Sequence, residues 1–285
     1  MLWWIMAQTL RCPSIGAAFL SLGLGLVVAC RPAPQPAAPK SPEAPPKPAA
    51  LPMPAPPINR ASLLSEVTRA MSAAATGEDD TAAQRELSGK RFELRIRFGC
   101  AGPESRITGS ALGWTFDSAR RVLRVRAVPT ISAQEPAIAS MMPEHVEAVQ
   151  GFWIPRPWIL GAACPAAETL SEAPADTKNP AETPPVVSAA RVGIAQFFTE
   201  QDARTRRRDG RAYEATKTLP ANSEPRASGF DLVLSGRLRA ISNRVIHCAG
   251  ATPDRPPDCV VSADIDRVRV ETPGTSEILA DWRSG

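Results

Sequence analysis

The chain has 285 residues and a formal net charge of +4, an excess too small to argue for a nucleic-acid partner. Its 30 prolines gather mainly in linkers, which leaves room for one large hydrophobic core or two small ones. Arginine far outnumbers lysine and alanine is abundant, a bias that a GC-rich genome explains before any single arginine needs a function.

A secretory leader needs a positive first region, a short apolar core and a small-residue cleavage site. Arg11 supplies the charge and Ile15 to Val28 the core, interrupted by Gly16, Gly23 and Gly25. Met1 to Met6 carries Trp3 and Trp4, and Met6 is an alternative start with a more ordinary first region. The apolar run closes as Val27-Val28-Ala29-Cys30, with a proline–alanine tract directly behind it. This arrangement resembles the lipobox of bacterial lipoprotein signal peptides. The resemblance covers about the first tenth of the chain. It implies that residues 1–29 are removed, that the Cys30 thiol carries a diacylglyceryl group, and that the new amine is acylated, with palmitate as a typical chain. Stable anchoring takes two lipid signals, and the acyl chains on Cys30 would supply them. Arg31 follows rather than Asp, the pattern that in enteric members implies sorting to the outer membrane. The expected location is the cell envelope, lipid-anchored, on the periplasmic side of the outer membrane. A retained transmembrane anchor is the rival reading. It needs about 20 apolar residues, whereas Ile15 to Cys30 is shorter, glycine-rich and followed by no charged stop-transfer cluster. A plain secretory cut near Ala29 is the third.

Residues 30–58 comprise Cys30 and a tether in which Pro and Ala dominate. Such linkers extend as polyproline II at about 3.1 Å per residue, so roughly 27 residues reach up to about 80 Å. Asn59 is a good N-cap with Ile58 before it as a possible staple, and Leu63, Leu64, Val67 and Met71 recur at helical spacing. Residues 59–88 therefore read as a helical segment, fading in Ala73 to Gly77, with a second short helix over Asp79 to Arg85.

From there the period changes to two. Phe92, Leu94, Ile96 and Phe98 alternate with Glu93, Arg95 and Arg97, the pattern of a half-buried strand. Leu112, Trp114 and Phe116 form a second strand and Leu123, Val125 and Ala127 a third, joined by a turn at Asp117 to Arg120. Glu144 to Val149 reads as a short helix, and Gly151 to Leu160, with Pro155 and Pro157, as an edge or bent strand. Residues 171–186 read as a mobile loop. Val192 to Phe198 is a strand, with Ala212 to Leu219 as its expected partner after a turn at Arg208-Asp209-Gly210. Phe230 to Leu238 is a long strand. The inward set after Cys259 (Val261, Ala263, Ile265) shifts phase at Val268 and Val270, which predicts a bulge near Asp266 and Arg267. Glu277 to Trp282 closes the chain. Eight to ten short strands over residues 89–285 make this a mainly β domain with an N-terminal helix, an antiparallel sandwich or barrel with the option of two subdomains. Phe98-Gly99-Cys100-Ala101-Gly102 echoes Ile246-His247-Cys248-Ala249-Gly250 weakly, as an internal duplication would.

With Cys12 in the leader and Cys30 acylated, Cys100, Cys164, Cys248 and Cys259 remain, an even number for an oxidising compartment. Four cysteines allow three pairings; Cys100–Cys164 with Cys248–Cys259 is the favoured one. A zinc site would need CxxC spacing or nearby histidines. There is no CxxC, and His247 beside Cys248 is a single histidine rather than a ligand set, so no metal and no cofactor is expected.

Residues i and i+2 share a strand face, and Arg95/Arg97, Arg124/Arg126, Arg237/Arg239 and Arg267/Arg269 repeat that spacing. If their strands are neighbours, one face carries an arginine ladder able to hold phosphate or carboxylate groups, as on lipopolysaccharide or another acidic envelope polymer. The competing reading is a solvated face with partners such as Glu93, Asp264 and Glu271. Arg204, Arg206, Arg207, Arg208 and Arg211 are interleaved with Glu200, Asp202, Asp209 and Glu214, and read as a solvated hairpin tip, with an anion site as the alternative. Trp153 and Trp158, with Phe152, are a candidate aromatic platform against the plainer role of covering a core. His145 and His247 stand beside no GxSxG, HExxH, P-loop or GxGxxG motif, so no catalytic residue is assigned. Asp264 and Asp266 would share a face as a carboxylate pair, or serve Arg267 and Arg269 as ion-pair partners. The expectation is a membrane-tethered binding or scaffolding module for an envelope polymer or protein; an envelope hydrolase acting on glycan or lipid is the alternative.

Overall fold

The computed structural model describes residues 55–106, 110–165, 190–223, 225, 228–250, 252 and 255–284. The leader, Cys30, nearly all of the tether and the 171–186 segment lie outside the described residues. The described residues all belong to one compact unit. In it the Asn59 side chain accepts the Ser62 N–H at 3.0 Å and opens α1 (Arg60–Thr76). Leu63, Leu64 and Val67 form the buried stripe. Gly77 stops the helix in the left-handed region at φ 75°, a conformation that glycine adopts without steric cost. The helix thus runs past Ala73, where its apolar stripe weakens. Ile58 serves as a bridge to Phe92 on the first strand. The second helix is α2 (Thr81–Leu87). Its Gln84 side chain is fully buried and accepts the Val245 and Ile246 N–H groups at 3.2 and 2.9 Å.

The chain then lays down β1 (Arg91–Phe98), β2 (Leu112–Asp117), β3 (Val122–Ala127), β4 (Ile131–Ser132), α3 (Pro136–Ala139), β5 (Val146–Trp153) and β6 (Val192–Thr199). After a 3-10 turn at Arg204–Arg206 come β7 (Tyr213–Thr218), β8 (Phe230–Leu238), β9 (Ile246–Ala249), β10 (Asp258–Thr272) and β11 (Glu277–Arg283). The protein is mainly β, with two sheets and two disulfides. The larger sheet runs β1-β8-β10-β6-β5-β4, with β9 and β11 also on β10; the smaller is β2-β3-β7.

β10 organises the large sheet. Residues 259–262 pair in parallel with β6, while residues 267–272 pair with β11. On the opposite edge β8 gives way to β9: Ser262 accepts the Arg239 N–H and donates its own N–H to Val245. The predicted bulge is present, with the register to β8 shifting between Ile265 and Arg267. Gly236 lies opposite it. A Cβ there would run into the Asp264 carbonyl oxygen, so the bulge requires glycine on the partner strand.

One face of β1, β8 and β10 is apolar. It carries Leu94, Ile96, Leu232, Leu234, Val268 and Val270 into a core shared with α1 and with Trp114, Leu123 and Val125 of the smaller sheet. Each fully buried aliphatic or aromatic side chain contributes about 1.5–3 kcal/mol, so this layer dominates stability. Trp114 meets Phe230 edge-on at 5.4 Å. β6 is buried along its whole length. Its second face joins Ile131, Ile138, Val149 and Val260 in a smaller cluster.

Six sequence expectations give way. Glu144 to Val149 is not helical: Val146 to Val149 open β5, because antiparallel pairing with β6 overrides local helix propensity. β5 is an interior strand ending at Trp153, with Pro155 and Pro157 beyond it. β7 partners β3 rather than β6; its alternate residues are exposed, which suits an outer sheet, whereas β6 needs cover on both faces. The β6–β10 pair is parallel, so the large sheet is mixed. β5 and β6 flank residues 166–189 and pair with each other, so the chain does not divide into subdomains there. Nor does the echo extend to structure: Cys100 lies in a turn after β1, and Cys248 inside β9.

Candidate functional site

The favoured cysteine pairing is formed. Cys100 joins Cys164 with their Cα atoms 5.5 Å apart, and Cys248 joins Cys259 at 4.1 Å. The second bond links directly opposed residues of β9 and β10.

The reverse of β1, β8, β10 and β11 carries the arginine face. Arg95 and Arg269 both lie opposite Val233, which is fully buried. Arg95 reaches Glu271 at 2.6 Å and Glu93 at 3.0 Å; Arg269 reaches Glu93 at 3.0 Å and Glu271 at 2.8 Å. Arg97 grips its cross-strand neighbour Asp231 through Nε and Nη2, at 2.6 and 3.2 Å. Arg267 holds Asp281 through two bonds of 2.7 Å. Burial opposes the charge on Arg95, but the Glu271 and Glu93 carboxylates outweigh it and raise the pKa. Glu271 and Asp231 are themselves buried. This is a neutralised lattice. Its acids occupy the oxygen-binding forks that a ligand would need.

Of the remaining arginines named from the sequence, Arg237 lies on β8 of the same sheet, opposite Arg91 and Asp264, and Arg239 directly follows that strand. Arg124 and Arg126 are on β3, in the other sheet, so the four pairs do not form one ladder. Arg126 pairs with Glu214 at 2.9 Å, and Arg124 is exposed beside an open cavity of about 510 Å³ that also borders Glu104 and Asp117. Arg237 donates to the Gly89 carbonyl, and Arg239 sits on Asp202 and Asp264 at 3.2 and 3.4 Å. Burial raises the Asp202 pKa, but the Thr199 hydrogen bonds and Arg239 overcome it and hold the carboxyl low.

Trp153 and Trp158 share no ring contact among the described residues. The Arg191 guanidinium covers the Trp153 ring at 4.2 Å, and the indole N–H points at Glu135, 3.3 Å away. Trp158 is 65% exposed in the loop after β5. Arg60 is the residue there that the sequence did not flag. It is buried, and its guanidinium donates to the carbonyls of Arg95, Pro155, Arg156 and Ile159. An arginine just inside a helix start gives no sequence signal of that role.

His145 is exposed on the turn before β5. His247 is buried against Phe197, and burial lowers its pKa to about 4. Asp264 and Asp266 do not form a pair, because the bulge takes Asp266 out of phase. No group of three or more His, Cys, Asp or Glu is placed to hold a metal ion among the described residues.

A further basic feature lies where β10 passes from β6 to β11. The last β6 partner is Ser262 and the first β11 partner is Arg267, so one edge of residues 263–266 is left between two departing strands. A cavity of about 90 Å³ opens there, lined by Arg206, Arg208, Tyr213, Arg267, Trp282 and Arg283. Arg208 lies over the Tyr213 ring at 4.0 Å and donates to the Arg211 and Ala212 carbonyls. Tyr213 meets Trp282 edge-on at 5.4 Å. The arginine cluster was legible as a cluster, but its meeting with Arg267 and Arg283 depends on the change of partner along β10, which residue pattern does not encode. Comparison with known proteins adds no family to this picture: no family model, no curated protein and no solved structure matches the chain.

Proposed function

We propose that the chain is an envelope lipoprotein, acylated on Cys30 and held off the membrane by its proline–alanine tether, whose β domain binds or scaffolds another envelope component. The observation that carries this reading is the pair of disulfides in the folded domain. Stable disulfides belong to exported proteins, and export is what the lipobox-like end of the leader implies. The placement on the periplasmic side of the outer membrane rests on Arg31. A tether of up to about 80 Å suits a module that reaches a partner away from its own lipid surface.

Cross-linking in intact cells, followed by capture of the chain, tests the reading. The wild type is expected to fractionate with membranes and to carry one recurrent cross-linked envelope component that the Cys30→Ser variant loses. A wild-type chain recovered free in the soluble fraction with no cross-linked species would overturn it.

A further inference from the structure

We propose that the notch between β6 and β11 is a binding site for a phosphate monoester. This deepens the tethered-module reading by naming the ligand chemistry, though the pocket itself does not depend on the anchor. Arg206, Arg208, Arg267 and Arg283 line the cavity; of these, Arg267 is held by Asp281 at 2.7 Å, and Arg283 stands 3.9 Å from the same carboxylate. Asp266 lies beside them, exposed, with no ion pair among the described residues. Arg208 makes only backbone and ring contacts. The Arg206 side chain is half-buried and has neither a hydrogen bond nor an ion pair among the described residues. A half-desolvated cation without a counter-charge is costly. It contrasts with the reverse of the sheet, where Arg95, Arg97 and Arg269 all hold carboxylates.

Size and charge choose the ligand. Pockets for whole small molecules usually span about 300–1,000 Å³; about 90 Å³ admits one oxyanion group with the rest of its molecule outside. Guanidinium forks match phosphate and carboxylate oxygens. Even if Asp266 also counts against four arginines, two positive charges remain, which suits a dianion better than a single carboxylate. Trp282 and Tyr213 wall the notch with apolar surface against which the carrier of the phosphate can lie.

The test is phenylglyoxal modification of the purified full chain in detergent, mapped by peptide mass spectrometry. Inorganic phosphate, glucose 6-phosphate and glucuronate are the competitors. Both phosphate compounds are expected to protect Arg206 and Arg283 while Arg124 reacts unchanged. Glucuronate should need at least about fivefold higher concentration, since it offers one charge fewer. Arg206→Gln should weaken phosphate binding in calorimetry by about tenfold, the usual scale for losing a charged hydrogen bond. Arg124→Gln, on the other sheet, should leave it unchanged, and unaltered circular dichroism of each variant shows that the fold survives. Phosphate that protects no arginine, protects Arg124 equally, or binds Arg206→Gln as well as wild type overturns the proposal, as does equal protection by glucuronate. None of these results bears on membrane fractionation or cross-linking, so failure of the notch and failure of the tethered-module reading are told apart.

Discussion

His247 shows how one residue reads differently in sequence and in structure. In the sequence it is one of two histidines, with no nucleophile motif beside it. In the fold its ring is 8% exposed, packed on Phe197 beside the Cys248–Cys259 bond. Burial favours the neutral ring and lowers the pKa from 6.5 to about 4. The unfolded chain therefore takes up a proton on this group near pH 6.5, and the native state only near pH 4. Between those values the unfolded state binds more protons, so stability rises with pH. The full effect is about 3 kcal/mol, complete above pH 6.5 and absent below pH 4. Asp202 and Asp258 have pKa values below the usual 3.8, so their contributions are lost only at lower pH and leave the window clear. Urea unfolding from pH 4 to 6.5 should show that slope in the wild type and a nearly flat line in His247→Gln. Equal slopes in the two proteins would remove the assignment.

Elements were legible where their signal is local. The Asn59 cap, the alternation of β1, the β2–β3 hairpin and the bulge at Asp266 all follow from residue type and period. Partner choice was not legible. Alternation says which face a side chain takes but not which strand lies beside it, so residue pattern distinguishes neither β3 from β6 as the partner of β7 nor a parallel from an antiparallel β6–β10 pair. The cysteines supplied one non-local constraint, and it held. The Cys248–Cys259 bond closes a loop of about 12 residues, and the chain-entropy account gives it about 3 kcal/mol. Replacing both cysteines by alanine should lower the unfolding free energy by about that amount, and β9 amides should exchange faster. Gln84 still holds the start of β9 through Val245 and Ile246, so the fold should persist. A loss below about 1 kcal/mol would mean that strand pairing alone fixes β9.

Across the whole molecule, charge is sorted by layer. Apolar residues fill the space between the large sheet, α1 and the smaller sheet, while the reverse face holds arginines and acids in register. The sequence showed the arginine spacing and the acids Glu93 and Glu271, but whether they neutralise one another depends on the β1–β8–β10 order, which only the fold supplies. Once they do, Arg206 and Arg208 in the notch beside β11 are among the arginines that hold no carboxylate among the described residues. The central claim concerns where the domain works: outside the cytoplasm, fixed to lipid through Cys30, with its four later cysteines bridged. Intact-mass and peptide mass spectrometry of the native chain purified from membranes tests it most directly. The account predicts a mature chain beginning at Cys30 with a diacylglyceryl thioether and an acylated amine, and no free thiols. A chain that retains residues 1–29, or carries an unmodified Cys30 thiol, would contradict it.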